Sequence, residues 1–232
     1  ALTSTQLGAM TTAQFAAIEA TDFAYLTATA LRGATTAEIV ALTTGQAQAL
    51  TSSQLMGLAT NQIRAFETAD LANIGTSAIS RLSVVQLGAL TTDHIVALTP
   101  AQVAALTSSQ VTALTTAQVK ALTTTQAAAL SSAQVAALTT AQLVALETAD
   151  LAKFTVGAIP GLNVAGLSVA QIQTLDVTQI AALTTAQSAN LTSAQVAGMS
   201  TAQIAAIETA DMARLSTSAV KGLTTAQLVA LS

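Results

Sequence analysis

The sequence has no cysteine and no tryptophan, and it has few aromatic or charged residues. Of its 232 residues, 2% are aromatic and 8% are charged, whereas charged residues make up about 25% of a typical soluble domain. The lack of cysteine excludes disulfides, thiolate metal sites and cysteine nucleophiles. The net charge is -4, and the basic residues are scattered. This argues against binding to nucleic acids or anionic membranes, which requires clustered Lys and Arg.

What the chain does contain is an eight-residue repeat of the form Leu-Thr-Thr-Ala-Gln-Val-Ala-Ala. A leucine-like residue begins each octad from Leu2 to Leu231, and only the octad that begins at Leu162 is shortened, with the next starting at Leu167. A fixed short period is typical of solenoids. We therefore predict one continuous repeat solenoid over residues 1–232, as a segment of a longer repeat protein.

Each octad carries the signals of a short, capped helix. Position 2 is usually Thr or Ser, which are preferred N-cap residues. Gln follows at position 5 and completes a capping box, while Leu at position 1 and Val at position 6 match a hydrophobic staple. In the octad of Leu98, Pro100 stands at the first helical position, where its missing N–H is tolerated. These signals predict an all-α solenoid of very short helices.

Two other folds fit the repeat less well. One continuous helix turns about 100° per residue, so a leucine every eight residues drifts by about 80° and never forms one face. A β-solenoid requires apolar residues at every second position, which the octad lacks, and it stays as the alternative. The octad of Leu162 lacks three residues, close to one helical turn, so we expect its leucine register to be kept.

Four octads replace the position-2 Thr with Glu and the position-5 Gln with Asp. These candidate contact sites are Glu19 and Asp22, Glu67 and Asp70, Glu147 and Asp150, and Glu208 and Asp211. Even numbers of octads separate them, which favours two octads, or 16 residues, per coil with all four pairs on one side. The carboxylates suit a helix N-terminus. Contact between chains and Ca²⁺ binding are the other interpretations, although Ca²⁺ takes six to eight oxygens.

No group of residues indicates catalysis. His94 is the only histidine, and it replaces the position-5 Gln, so we interpret it as a hydrogen-bonding substitute. Phosphate-binding loops and zinc signatures are missing. We predict no enzyme, no cofactor and no bound metal, and we place the aromatic residues, including Tyr25, in packing roles. Mean hydropathy is +0.61, but Thr, Ser and Gln interrupt every octad, so no transmembrane segment is predicted.

The tandem Leu-Thr-Thr-Ala-Gln octads resemble the repeat arrays of large secreted or surface-attached bacterial proteins of the adhesin and haemolysin-like kind. The Ala- and Thr-rich, cysteine-free, acidic composition is also similar to that of bacterial surface-layer and filament proteins. This resemblance implies an extracellular or cell-surface location and a role as stalk, adhesin or filament.

The repeat and the resemblance together predict a non-enzymatic structural protein that forms a rigid rod, a stalk or a self-assembling filament. Low charge and a high apolar fraction favour self-association or contact with a cell surface. The alternative function is a ligand-binding face of ordered threonines, such as an ice-binding surface. Positions 2 and 3 supply these threonines, but capping occupies the hydroxyl at position 2.

Overall fold

The computed structural model describes residues 2–231 as two compact units, one up to Ala121 and one from Leu122 onward. Every regular element among these residues is a short helix, and none is a strand. The prediction of an all-α solenoid of short helices is therefore confirmed, and the β-solenoid alternative is wrong. The single continuous solenoid over residues 1–232 stays a prediction. Within the described residues, no helix has both the length and the apolar character needed to span a bilayer.

The first unit contains fifteen α-helices, each of four to six residues. They are α1 (Ser4–Leu7), α2 (Thr12–Ala16), α3 (Ala20–Phe23), α4 (Ala28–Leu31), α5 (Thr36–Val40), α6 (Thr44–Ala49), α7 (Ser52–Gly57), α8 (Thr60–Arg64), α9 (Thr68–Asn73), α10 (Thr76–Ile79), α11 (Val84–Ala89), α12 (Thr92–Ala97), α13 (Pro100–Ala104), α14 (Ser108–Ala113) and α15 (Thr116–Lys120).

The second unit continues the pattern and includes two 3₁₀ helices, η1 and η2. Its elements are α16 (Thr124–Ala128), α17 (Ser132–Ala136), α18 (Thr140–Ala145), α19 (Thr148–Leu151), η1 (Val156–Gly161), η2 (Val164–Gly166), α20 (Val169–Thr174), α21 (Val177–Ala181), α22 (Thr185–Ala189), α23 (Ser193–Gly198), α24 (Thr201–Ala205), α25 (Thr209–Met212), α26 (Thr217–Val220) and α27 (Thr225–Val229).

The capping boxes form as the sequence predicts. In the octad of Leu98, the backbone N–H of Gln102 donates to Thr99 Oγ1 at 3.2 Å, and the backbone N–H of Thr99 donates to Gln102 Oε1 at 2.7 Å. Pro100 is the first residue of its helix. Leu98 has an extended backbone, with φ −58° and ψ 138°, and Thr99 is extended as well. Each Leu-Thr pair is therefore the corner between two helices.

Three positions of each octad face the interior. In the octad of Leu98, the leucine, Gln102 and Val103 are buried, while Pro100, Ala101 and Ala104 are exposed. A buried Leu or Val stabilises the fold by about 1.5–3 kcal/mol, so leucine and valine together supply most of the hydrophobic energy of an octad. The buried Gln is a polar side chain in this interior, and burial demands that its hydrogen bonds be made.

Successive coils repeat every 28 residues or so, which is about three and a half octads. Helices pack against the helix three positions further along the chain, as α6 does on α3 and α9 on α6. Side-chain hydrogen bonds between coils join residues 28 and 31 positions apart, as from Gln46 to Ile18 and Phe15. The prediction of a 16-residue coil is therefore wrong. Two octads per coil require a complete reversal at each corner and leave no interior for three buried side chains per octad.

The acidic octads do not share one side of the first unit. Glu19 and Glu67 are 48 positions apart, and this separation is not a multiple of the coil repeat. The even spacing of the acidic octads thus did not report the number of octads per coil.

The shortened octad keeps the leucine register, as predicted. Leu162 and Leu167, which flank it, are both buried. The octad between them is the single 3₁₀ turn η2. The coil that contains η2 is three residues shorter, since Gln171 reaches the carbonyls of Leu143 and Leu146, which lie 28 and 25 positions earlier. A missing helical turn is therefore absorbed within one octad.

Candidate functional site: the glutamine ladder and its acidic interruptions

The buried Gln at position 5 bonds in two directions. Gln102 Oε1 closes its own capping box, while its Nε2 donates to the backbone carbonyls of Leu71 at 2.9 Å and Ile74 at 2.7 Å, with a longer contact to Ala72 at 3.4 Å. These carbonyls lie where one helix of the preceding coil ends and the next begins. The same carboxamide therefore caps one helix and ties it to the coil before.

This arrangement recurs through both units, and we call it the glutamine ladder. Its members are position-5 glutamines whose Nε2 donates to carbonyls about one coil earlier: Gln46, Gln54, Gln62, Gln86, Gln102, Gln110 and Gln118 in the first unit, and Gln171, Gln179, Gln187, Gln195, Gln203 and Gln227 in the second. The sequence analysis missed this second role. The signal was present, because a capping box accepts Glu as well as Gln, yet Gln dominates, and only Gln has N–H donors.

His94 takes the place of a ladder glutamine. Its Nδ1 accepts a hydrogen bond from the backbone N–H of Thr91 at 3.2 Å, and its Nε2 lies 3.0 Å from the carbonyl of Phe66, 28 positions earlier. The proton on Nε2 then donates to that carbonyl. Burial is the main cause that lowers the pKa of His94, and the charge of Arg64 lowers it further, against the opposing effects of Phe66 and Asp93. This neutral ring confirms the hydrogen-bonding interpretation.

The structure separates the two carboxylates of each acidic octad. The position-2 glutamates Glu19, Glu67, Glu147 and Glu208 are exposed at helix N-termini, and none of them makes a capping hydrogen bond through its side chain. The position-5 aspartates Asp70, Asp150 and Asp211 are buried, whereas Asp22 is exposed. The aspartates therefore occupy the interior place of the ladder glutamine wherever an earlier coil covers them.

These buried aspartates carry charge where the ladder requires a donor. Burial raises the pKa of Asp70, Asp150 and Asp211, and in each case the negative Glu at position 2 raises it further. Asp70 Oδ2 is buried and has no hydrogen-bond partner. An ionised carboxylate has no proton to donate, so Asp70 cannot make the ladder bond that a glutamine makes.

The sequence profile of the ALTTAQ repeat matches residues 15–52, 63–100, 95–124, 116–148 and 204–232, which together cover about two thirds of the chain. The chain belongs to the ALTTAQ repeat family. No curated protein matches it. In the ALTTAQ motif, the Leu is the buried corner residue, the first Thr is the N-cap and the Gln is the ladder residue. The motif thus contains the residues that build and join coils.

Two further side chains interrupt the ladder of this ALTTAQ array, and the sequence analysis did not identify either. Glu38 stands at position 5, where its Oε2 accepts from the backbone N–H of Thr35, while its Oε1 is buried without a partner. Ser188 replaces the apolar residue at position 6, and its Oγ is also buried without a partner. Glu38 is as long as Gln, so its Oε1 stands where the ladder places a donating Nε2.

The aromatic residues divide between core and surface. Phe15 and Phe23 are buried and pack edge to face, with ring centroids 5.6 Å apart, and Phe66 and Phe154 are buried at corner positions. Tyr25 is 85% exposed, so its predicted packing role is wrong. Among residues 2–231, no three His, Asp or Glu side chains gather as metal ligands.

Proposed function

We propose that this ALTTAQ chain is a non-enzymatic structural protein of a stalk, filament or adhesin outside the cell or on its surface. The observation that carries the proposal is the glutamine ladder. The recurring polar side chain of the interior is spent on holding coils together, and the one histidine has both ring nitrogens engaged in the same task. The similarity to secreted bacterial repeat arrays supports the extracellular location.

The outer surface of the first unit supports association with further copies of the chain. Met56, Val84 and Val85 are 53%, 45% and 67% exposed. Met56 and Val84 are 28 positions apart, so they lie one coil apart in register, as the ladder bonds show. Apolar residues exposed on consecutive coils are typical of protein contacts, and few charges oppose such contacts.

Sedimentation velocity across a wide concentration range tests this proposal. We expect the wild-type chain to associate as its concentration rises, and we expect the double variant Met56→Lys and Val85→Lys to associate more weakly. The matched control is Ala69→Lys with Ala101→Lys, which adds the same charge at exposed positions elsewhere in the first unit. A wild-type chain that stays monomeric at the highest concentration, or equal losses in both double variants, contradicts the proposal.

The alternative of an ice-binding threonine face receives no support from the coil repeat. Because 28 residues are not a whole number of octads, equivalent threonines of successive coils are displaced by about half an octad. An ordered threonine array requires them to be in line. An ice recrystallisation assay on the same protein decides the point, since inhibition at low concentration favours the alternative and its absence favours the structural role.

A further inference from the structure

We propose that the first unit contains a calcium site in which Asp70 and Glu67 act together with the backbone carbonyls of Ile39 and Leu42. In this site a hard divalent cation takes the place of the N–H donors that a ladder glutamine supplies. The site lies between α9 and the end of α5, inside one coil-to-coil junction.

The register of the ladder identifies the two carbonyls. On either side of Asp70 along the chain, Gln62 reaches the carbonyls of Leu31 and Ala34, and Gln86 reaches those of Leu55 and Leu58. All four bonds join residues 31 or 28 positions apart. The same register directs Asp70 to Ile39 and Leu42. The helix bearing Asp70 also packs on α6, which directly follows Leu42.

Side-chain length then fixes the size of the gap. Ladder glutamines place Nε2 between 2.7 and 3.0 Å from their two main carbonyls, as Gln86 and Gln102 do. Asp is shorter than Gln by one carbon–carbon bond of about 1.5 Å. A carboxylate oxygen of Asp70 is therefore about 4.3 Å from the carbonyls, which is beyond hydrogen-bond distance. Two Ca²⁺–oxygen bonds of about 2.3–2.6 Å span nearly this gap.

The charges favour a divalent cation. Asp70 Oδ2 is buried without a partner, and Asp70 as a whole is 2% exposed. Glu67 is free of any capping bond, and it lies close enough to raise the pKa of Asp70. Helix α12, which packs on α9, adds the negative Asp93. Mg²⁺ requires shorter bonds of about 2.0–2.1 Å in a strict octahedron, so Ca²⁺ fits the gap better.

Two carboxylates and two carbonyls supply fewer oxygens than the six to eight of Ca²⁺, so water completes the shell. Such a site is weak, with a Kd of about 10⁻⁴–10⁻³ M, as in extracellular calcium modules. The free-energy gain from mass action at millimolar Ca²⁺ is therefore modest. We expect 10 mM Ca²⁺ to raise the Tm of the wild-type chain by about 2–4 °C over the same buffer with chelator.

Localisation by NMR, with Mn²⁺ as a paramagnetic substitute, gives the decisive test. We expect Mn²⁺ to broaden the backbone amide signals around Ile39, Leu42 and Asp70 in the wild-type chain, and excess Ca²⁺ to restore them. Asp70→Asn should abolish this local broadening. Asp22→Asn is the matched control, because Asp22 has the same place in its octad but is exposed, and it should leave the broadening unchanged.

Three results overturn the site. They are the absence of local broadening in the wild type, equal broadening in Asp70→Asn, and a Tm that rises on acidification but not with Ca²⁺. The last result means that a proton, rather than a cation, neutralises Asp70. Asp70→Gln provides a folded reference, since it restores a ladder residue and should raise the Tm in chelator while removing the local response to Mn²⁺.

Discussion

Replacing Gln102 with Glu tests the ladder at one of its best-bonded members. The substitution preserves the side-chain length and the acceptor of the capping box to Thr99. It removes both N–H donors and sets a carboxylate oxygen against the carbonyls of Leu71 and Ile74. Gln102 is 1% exposed, so water cannot replace the lost bonds.

The expected destabilisation follows from the bonds that are lost. Two short hydrogen bonds end at buried carbonyls, and each buried group left unsatisfied costs about 1–3 kcal/mol. Burying an ionised carboxylate beside them adds to this. We expect a total of about 3–5 kcal/mol at pH 7, which lowers the Tm by about 10 °C for a chain of this size. Protonation of the new carboxyl restores a donor, so the gap to the wild type should narrow as pH falls.

Differential scanning calorimetry of both chains from pH 7 to pH 4 measures these differences. Gln14→Glu is the matched control, because Gln14 forms the same capping box with Thr11 but is exposed and bonds to no earlier coil. We expect that control to change stability by less than about 0.5 kcal/mol, as surface substitutions usually do. A Gln102→Glu chain as stable as the wild type at pH 7, or a control equally destabilised, refutes the ladder as an energetic feature.

Three further substitutions address the interruptions of the ladder. Glu38→Gln should raise the free energy of unfolding at pH 7 by about 1–3 kcal/mol in urea titrations, because it gives the buried Oε1 position a donor; a destabilised variant contradicts this. The pKa of His94 is lowered from 6.5, so the folded state binds its proton less readily than the unfolded state, and stability should fall as pH drops below about 6.5. His94→Gln should remove that loss, and unchanged pH profiles between the two chains argue against it. Ser188→Val should raise the Tm by a few degrees, since it replaces a buried hydroxyl without a partner by the apolar residue of other octads, and a lower Tm shows that the site cannot hold the larger side chain.

The local structure of each octad could be predicted from the sequence. Thr99, Pro100 and Gln102 are all short-range signals, because an N-cap and its capping box involve residues only three positions apart. The kept register at Leu162 and Leu167 was equally accessible, since it depends only on the length of one helical turn.

The coil repeat was not accessible in the same way. It depends on the angle between helices at each Leu-Thr corner, which small changes of φ and ψ at residues such as Leu98 and Thr99 determine. The even spacing of the acidic octads therefore favoured a wrong value. The second bond of Gln102 depends on this long-range register, so it became visible only in the folded chain.

The candidate site could be predicted in part. The four acidic pairs stand out by composition, but their sequence does not reveal that Glu67 lies outside and Asp70 inside. Burial of Asp70 follows from the coil that precedes it, and Asp22, with the same local sequence, is exposed. Neighbouring coils thus decide the chemistry of each pair.

The central claim is a coil of about 28 residues held by the glutamine ladder, and disulfide trapping tests it most directly. The chain contains no cysteine, so two introduced cysteines have no competitors. The Cα substituent of Gly45 would lie 3.8 Å from Ala20 Cβ, which matches the usual Cβ separation of about 3.8 Å in disulfides. We expect Ala20→Cys with Gly45→Cys to oxidise in high yield under native conditions. The pair Ala20→Cys and Thr36→Cys, one 16-residue coil apart, should stay reduced. Efficient oxidation of the second pair and failure of the first contradict the account.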